Sequence, residues 1–158
     1  MQLSTKTRYA IRLLFEMREP GPPVATALLA EQTGIALKTV GKIHTTLKRN
    51  GITDGTVGMK GGIFLLVPLT AISLGQIAAI FDNGIGLGVC YGNKANECPN
   101  QHSCDISAVW GKISRIMQDE LNGIFLWDIL SKYPENSCSF PKKLSSAKPE
   151  KALHQKLG

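Results

Sequence analysis

Residues 26–67 read TALLAEQTGIALKTVGKIHTTLKRNGITDGTVGMKGGIFLLV, and this run limits the fold more than any other part of the chain. Apolar spacing predicts a short helix over 26–33, with Leu28 and Leu29 inward and Gly34 at the turn, where a left-handed backbone favours glycine. A third helix is expected from about 37 to 49, closed by Asn50 and Gly51. It would bury Val40, Ile43 and Leu47 and turn Lys38, Thr39, Lys42, Thr45 and Thr46 outward. Two β-like runs follow, 52–56 and 63–67, around a glycine-rich tip at 57–62. Helix, glycine turn, basic helix and hairpin predict a mainly α fold with a small β-hairpin wing, a winged helix-turn-helix.

That geometry has a natural partner in double-stranded DNA. A helix of this width enters the major groove, where short polar side chains meet base edges and lysines meet phosphates. Lys38, Thr39 and Lys42 stand near the start of the third helix, where base contact is expected. Lys48 and Arg49 are better placed for phosphate, and Lys60 would carry the wing tip over the minor groove or the backbone. Charge is distributed accordingly. Residues 1–60 hold nine Lys/Arg against four Asp/Glu, residues 61–133 four against six, and residues 134–158 five against two. A basic first third suggests a polyanion-binding module, and a mildly acidic middle suggests another task. A charged face that is merely solvated would look the same by charge alone; the wing beside the basic helix separates the two readings.

Ahead of this module, residues 4–18 carry Tyr9, Ile11, Leu13, Leu14, Phe15 and Met17 on a broad helical stripe, with Ser4 as N-cap, and EPGPP at 19–23 ends the helix. Arg8 and Arg12 interrupt any signal-peptide core, so a cytoplasmic location is expected. Residues 61–81 have no charge and approach membrane-span length, but Pro68, Thr70, Ser73 and Gln76 divide them, and no membrane partner is expected. SLGQ at 73–76 has capping-box spacing ahead of the helical run IAAIF. From Asp105, apolar residues recur at threes and fours to Trp127, predicting a helix to about residue 130, ~37 Å long. Its stripe, with Trp110, Ile113, Met117, Leu121 and Ile124, is expected to be the dimerisation face of a homodimer. A core helix partly covered by 68–81 is the other reading. The expected organisation is a DNA-binding domain over 1–82, a cysteine loop over 83–104, a long dimerisation helix over 105–133 and a flexible basic tail over 134–158.

Three of the four cysteines, Cys90, Cys98 and Cys104, are separated by seven and then five intervening residues in VCYGNKANECPNQHSCD. A reducing compartment disfavours structural disulfides, which turns attention to metal or redox chemistry. A cysteine nucleophile needs a base, and the histidines are His44 on the DNA-facing module, His102, and His154 in the tail; an enzyme is not expected. Zinc favours paired short spacings that are absent here. Iron–sulfur clusters accept wider loops because each thiolate reaches a different iron. Three unligated thiols are the third reading, although an exposed polar loop leaves idle thiols open to oxidation.

The order LSTKTRYAIRLL, LKRNGI, GMKGGIFLL, ISLGQIAAIFD, a three-cysteine loop and SAVW resembles the Rrf-two family of winged-helix transcription regulators over about residues 1–130. The likeness is to its IscR/NsrR-like, iron–sulfur-sensing members. It implies a homodimer with crossed long helices and an iron–sulfur cluster, of two or four irons, ligated by Cys90, Cys98 and Cys104. Cys138 falls outside the matched motif. The pattern departs from the family in several places. The first cysteine spacing is longer than usual, and Ser107 stands where IscR-like members place a histidine ligand. Arg8 stands near the place where other members use an acidic one. The fourth ligand therefore stays open among His102, Asp105, Ser107, a partner-chain group and an exogenous thiol or water. Gly41 replaces a glutamate of IscR-like members, and Val57 replaces the wing's usual arginine, so the operator sequence does not transfer.

Overall fold

The computed structural model describes residues 3–82, 86, 98–100 and 103–132. Within them the chain forms α1 (Thr5–Met17), α2 (Thr26–Thr33), α3 (Leu37–Arg49), β1 (Thr53–Thr56), β2 (Gly62–Leu65), a single 3₁₀ turn (Leu69–Ala71), α4 (Leu74–Asp82), α5 (Ser107–Asn122) and α6 (Leu126–Lys132). The mainly α fold with a β-hairpin wing is the one expected.

Local chemistry sets most of these boundaries. The Ser4 hydroxyl accepts the Thr7 N–H at 3.2 Å and caps α1. Gly34 ends α2 at φ +66°, a left-handed turn in which any side chain is strained. Ser73 repeats the cap at α4, where its hydroxyl accepts the Gln76 N–H at 3.1 Å. α1 lies at the centre and contributes Ala10, Leu13, Leu14 and Met17 to one core with Leu29, Val40, Ile43, Leu47, Ile63, Leu69, Ile72 and Ile77. Leu28 is not inward as its spacing suggested: it is 45% exposed, because α2 turns only one narrow side to this core.

The long helix expected from Asp105 is two helices. α5 stops at Asn122 after sixteen residues, about 24 Å, and the chain turns through Gly123. The Leu74 N–H then donates to the Ile124 carbonyl at 2.8 Å, and the Leu126 N–H donates to the Ile72 carbonyl at 2.9 Å. These bonds return the chain to the body, where Leu126 and Leu130 of α6 join the α1 core. A straight helix would leave both leucines outside it, forgoing ~1.5–3 kcal/mol for each side chain. Ile124, expected on the dimerisation stripe, therefore lies in the turn between the helices.

Antiparallel β1 and β2 pair Thr53 with Leu65 through Thr56 with Gly62. The hairpin is tied, near its turn, to the segment before α2 by reciprocal bonds between Val24 and Ile63, both 2.8 Å. Gly62 is required there, since a Cβ would run into the Val24 carbonyl.

Candidate nucleic-acid interface

α3 presents one polar, cation-bearing side to solvent. Lys38, Lys42, Thr45, Lys48 and Arg49 are exposed and Thr39 is half-buried, while Val40, Ile43 and Leu47 hold the opposite side in the core. The helix sequence contains no acidic residue, so nothing on α3 itself competes for its lysines. The Thr45 hydroxyl donates to the Gly41 carbonyl at 2.9 Å and the Thr46 hydroxyl to the Lys42 carbonyl at 3.2 Å, which leaves their oxygens as outward acceptors. Every residue expected to contact DNA is thus on the surface, and Lys60 is exposed at the wing tip.

The wing is indexed to α3 by a small polar cluster that sequence spacing did not reveal. Lys48 forms an ion pair with Asp54 of β1. The Lys48 ammonium and the Gly55 N–H hold the Asp54 carboxyl below the usual carboxylate range. Behind this pair, His44 Nδ1 and the Thr53 hydroxyl share a hydrogen bond of 3.1 Å. Burial, then the Lys48 charge, push the His44 imidazole below its ordinary range against the pull of Asp54. The ring lies against Gly55 of β1 and so stands between helix and strand. Lys48, expected to meet phosphate, is therefore shared with the wing. Only the pairing of β1 beside the end of α3 shows this, because no sequence pattern sets Lys48 opposite Asp54.

The second candidate site is described in part. Cys98 and Cys104 are half-buried free thiols. Cys90, His102 and Cys138 lie outside the described residues, as do Gly84, Gly88 and the tail. Among the described residues, no three His, Cys, Asp or Glu side chains are grouped to hold a metal. Both flanks of the cysteine segment are anchored. At one end the Asp82 carboxylate accepts the Thr7 hydroxyl at 2.7 Å and the Ser4 N–H at 3.1 Å, at the first turn of α1. At the other, the Cys104 carbonyl accepts the Ser107 N–H at 3.1 Å and the Ser107 hydroxyl at 2.7 Å, at the start of α5. Arg8 is exposed, its guanidinium donating to the Thr5 hydroxyl at 3.2 Å.

α5 packs on α4 through polar and small groups. Gln118 donates to the Gly75 carbonyl at 3.3 Å, and a Cβ on Gly75 would run into Asn122. Trp110, Ile113, Met117 and Leu121 are half-buried, and Ile106, Val109 and Ile116 are about half exposed, at 49%, 51% and 52%. No helix among the described residues is long and apolar enough to cross a membrane.

Comparison with known proteins bears on all of this. The family model of Rrf2, described as an iron-dependent transcriptional regulator, matches residues 3–132. Protein rrf2 of Nitratidesulfovibrio vulgaris is 28% identical over 145 residues, covering 88% of this chain and 95% of its own length. The transcriptional regulator IscR of Escherichia coli is 26% identical over 133 residues, covering 83% and 81%. The structure of CymR, the global cysteine regulator of B. subtilis, superposes with a TM-score of 0.64 at 17% identity, covering 84% of this chain and 98% of that one. At that identity the likeness speaks for the fold.

Proposed function

This chain belongs to the Rrf2 family of DNA-binding transcriptional regulators, and from that membership we propose a cytoplasmic homodimer whose operator affinity depends on an iron–sulfur cluster held by Cys90, Cys98 and Cys104. α3 would enter the major groove with Lys38, Thr39 and Lys42 toward base edges, while Lys48, Arg49 and Lys60 reach phosphate. The apolar side of α5, with Trp110, Ile113, Met117 and Leu121, would meet the same face of a second copy, and Ile124 would border it. The proposed division is a DNA-binding region over 1–82, a ligand segment over 83–104, a dimerisation region over 105–133 and a basic tail over 134–158. α6 is shared with the first of these, because its leucines complete the α1 core.

One observation carries the sensing role: the cysteine segment runs between two fixed points, Asp82 on the first turn of α1 and Cys104 at the start of α5. A group bound by that segment would constrain α5, and with it the dimer axis, relative to the body that presents α3. The donor set suits an iron–sulfur group, since Cys98 and Cys104 are free thiols at partly exposed positions. When bound, such a group supplies a crosslink sensitive to iron supply, oxidant or nitric oxide. The residues then shift a population between two spacings of the recognition helices, and DNA binding acts back on the segment by the same coupling energy.

A second reading, a metal-independent regulator responding to a metabolite or partner protein, draws support from Ser107. Its hydroxyl is engaged by the Cys104 carbonyl at 2.7 Å, at the position where IscR-like members place a histidine. An absorbance spectrum with iron and acid-labile sulfide assays, on protein purified without air and after reconstitution, separates the two. Matched iron and sulfide, and operator affinity that changes on Cys98→Ala or Cys104→Ala, are expected for the cluster sensor. A colourless protein with no iron uptake, whose operator affinity ignores those substitutions, would sink it in favour of the metal-independent reading.

A further inference from the structure

Glycine is the least favourable residue inside a helix apart from proline, so an interior helical glycine needs a reason. Gly75 has one in its close approach to Asn122. Gly41, at the fifth position of α3, does not: among the described residues a Cβ built there meets nothing within 4 Å, and the residue is not among those with positive φ. Packing among the described residues would accept alanine. Gly41 lies between Lys38 and Thr45 on the outward side of α3, beside Lys42, with its carbonyl occupied by the Thr45 hydroxyl at 2.9 Å. What remains facing outward is a bare patch of Cα, bordered by Lys38, Lys42 and Thr45 and by the exposed Leu37 one turn before it.

Resting on the DNA-binding reading above, we propose that Gly41 is the closest point of approach between α3 and its operator, and that it receives a thymine C5-methyl. The charge around the patch fits a polyanion. The thymine methyl is the apolar group that the major groove offers. A side chain at position 41 would occupy that space and lift the helix off the base edges, whereas Lys38 and Lys42 reach past a glycine. The specificity gained is for a thymine at one position of each half-site, and it is obtained without a hydrogen bond.

The test begins with duplexes selected from a random-sequence DNA library by the full chain, in both its reconstituted and its chelated form. Gly41→Ala is then measured on the selected duplex and on duplexes in which each thymine in turn is replaced by uracil, which lacks only the methyl. The melting temperature is expected to rise by about 2–4 °C, as for a glycine replaced at a permissive helical site. Operator affinity is expected to fall about tenfold, with an unchanged salt slope because no phosphate contact is lost. Uracil at one thymine per half-site should recover most of that loss in the variant while weakening the wild-type chain several-fold. The proposal is overturned by affinity within twofold of wild type, by a lowered melting temperature, or by the absence of any thymine whose replacement rescues. If the wild-type chain selects no sequence at all, the DNA-binding reading falls first, an outcome distinct from these three.

Discussion

α3 and α5 are both amphipathic, thirteen and sixteen residues long, and each buries one side against the same body. What they leave outside differs. α3 exposes Lys38, Lys42, Thr45 and Arg49 with one apolar residue, Leu37; the start and outer side of α5 expose Ile106, Val109 and Ile116 among the charged Lys112, Arg115, Asp119 and Glu120. The first face is satisfied by water and gains from a polyanion. The second is poorly satisfied by water, forgoing up to ~1.5–3 kcal/mol for each apolar side chain left uncovered. Under the proposed function, partner chemistry would be divided by helix: polar and cationic for DNA, apolar for a second copy. Each helix also has an interior glycine, Gly41 and Gly111, whose Cβ would meet nothing within 4 Å among the described residues.

The largest expected effect comes from making the second face resemble the first. Ile116→Lys puts a charge where α5 is half exposed, so the protomer should still fold. In a dimer, two such ammonium groups would be desolvated against apolar neighbours at a cost of several kcal/mol. Sedimentation velocity should show self-association weakened by at least about 100-fold, and operator binding should weaken as the two half-sites are no longer held together. A variant that sediments as an unchanged dimer would place the contact between copies away from Ile116.

A smaller effect divides the cations of α3 among themselves. Arg49 has no ion-pair partner among the described residues, whereas Lys48 is already held by Asp54. Arg49→Ala should lower operator affinity about tenfold and reduce the salt slope by about two for a dimer, roughly one per protomer. Lys48→Ala should cost less and change the slope less, because Asp54 offsets that charge before DNA arrives. Equal slopes for the two variants would show that the wing releases Lys48 on binding.

How much of this was legible in sequence depends on the range of the interactions. The bounds of α2 and α3, the turn at Gly34 and the caps at Ser4 and Ser73 depend on neighbours within four residues, and periodicity found them. The break after Asn122 depends on Ile72 and Leu74 pairing with residues fifty positions away, so the apolar stripe read straight through it. Leu28 was misjudged because an eight-residue helix has little periodicity with which to choose its inward side. The cation set of α3 was readable, but its modulation by Asp54 was not. Gly41 was visible only as a departure; that no packing among the described residues requires it is seen only in the structure.

The smallest effect probes the seam between the two regions, where Asp82 ends α4 and fastens it to the first turn of α1. Burial alone would raise its carboxyl, but hydrogen bonds from Ser4 and Thr7 and the Lys6 charge outweigh that, and the group sits below the usual carboxylate range. A folded-state pKa below the unfolded one means that the stabilising contribution is complete above the unfolded value of ~3.9 and is lost as pH falls through the folded value. Asp82→Asn keeps the shape and removes the charge, so it should cost about 1 kcal/mol at pH 7, the scale of one charge-assisted hydrogen bond at a partly solvated site. Urea denaturation at pH 7 and at pH 2.5 should show the gap between variant and wild type closing in acid; a gap that persists there would assign the effect to packing. If the substitution also shifts operator affinity while sedimentation is unchanged, the bond is coupling α4 to the presentation of α3. The two faces are energetically separate if affinity does not move.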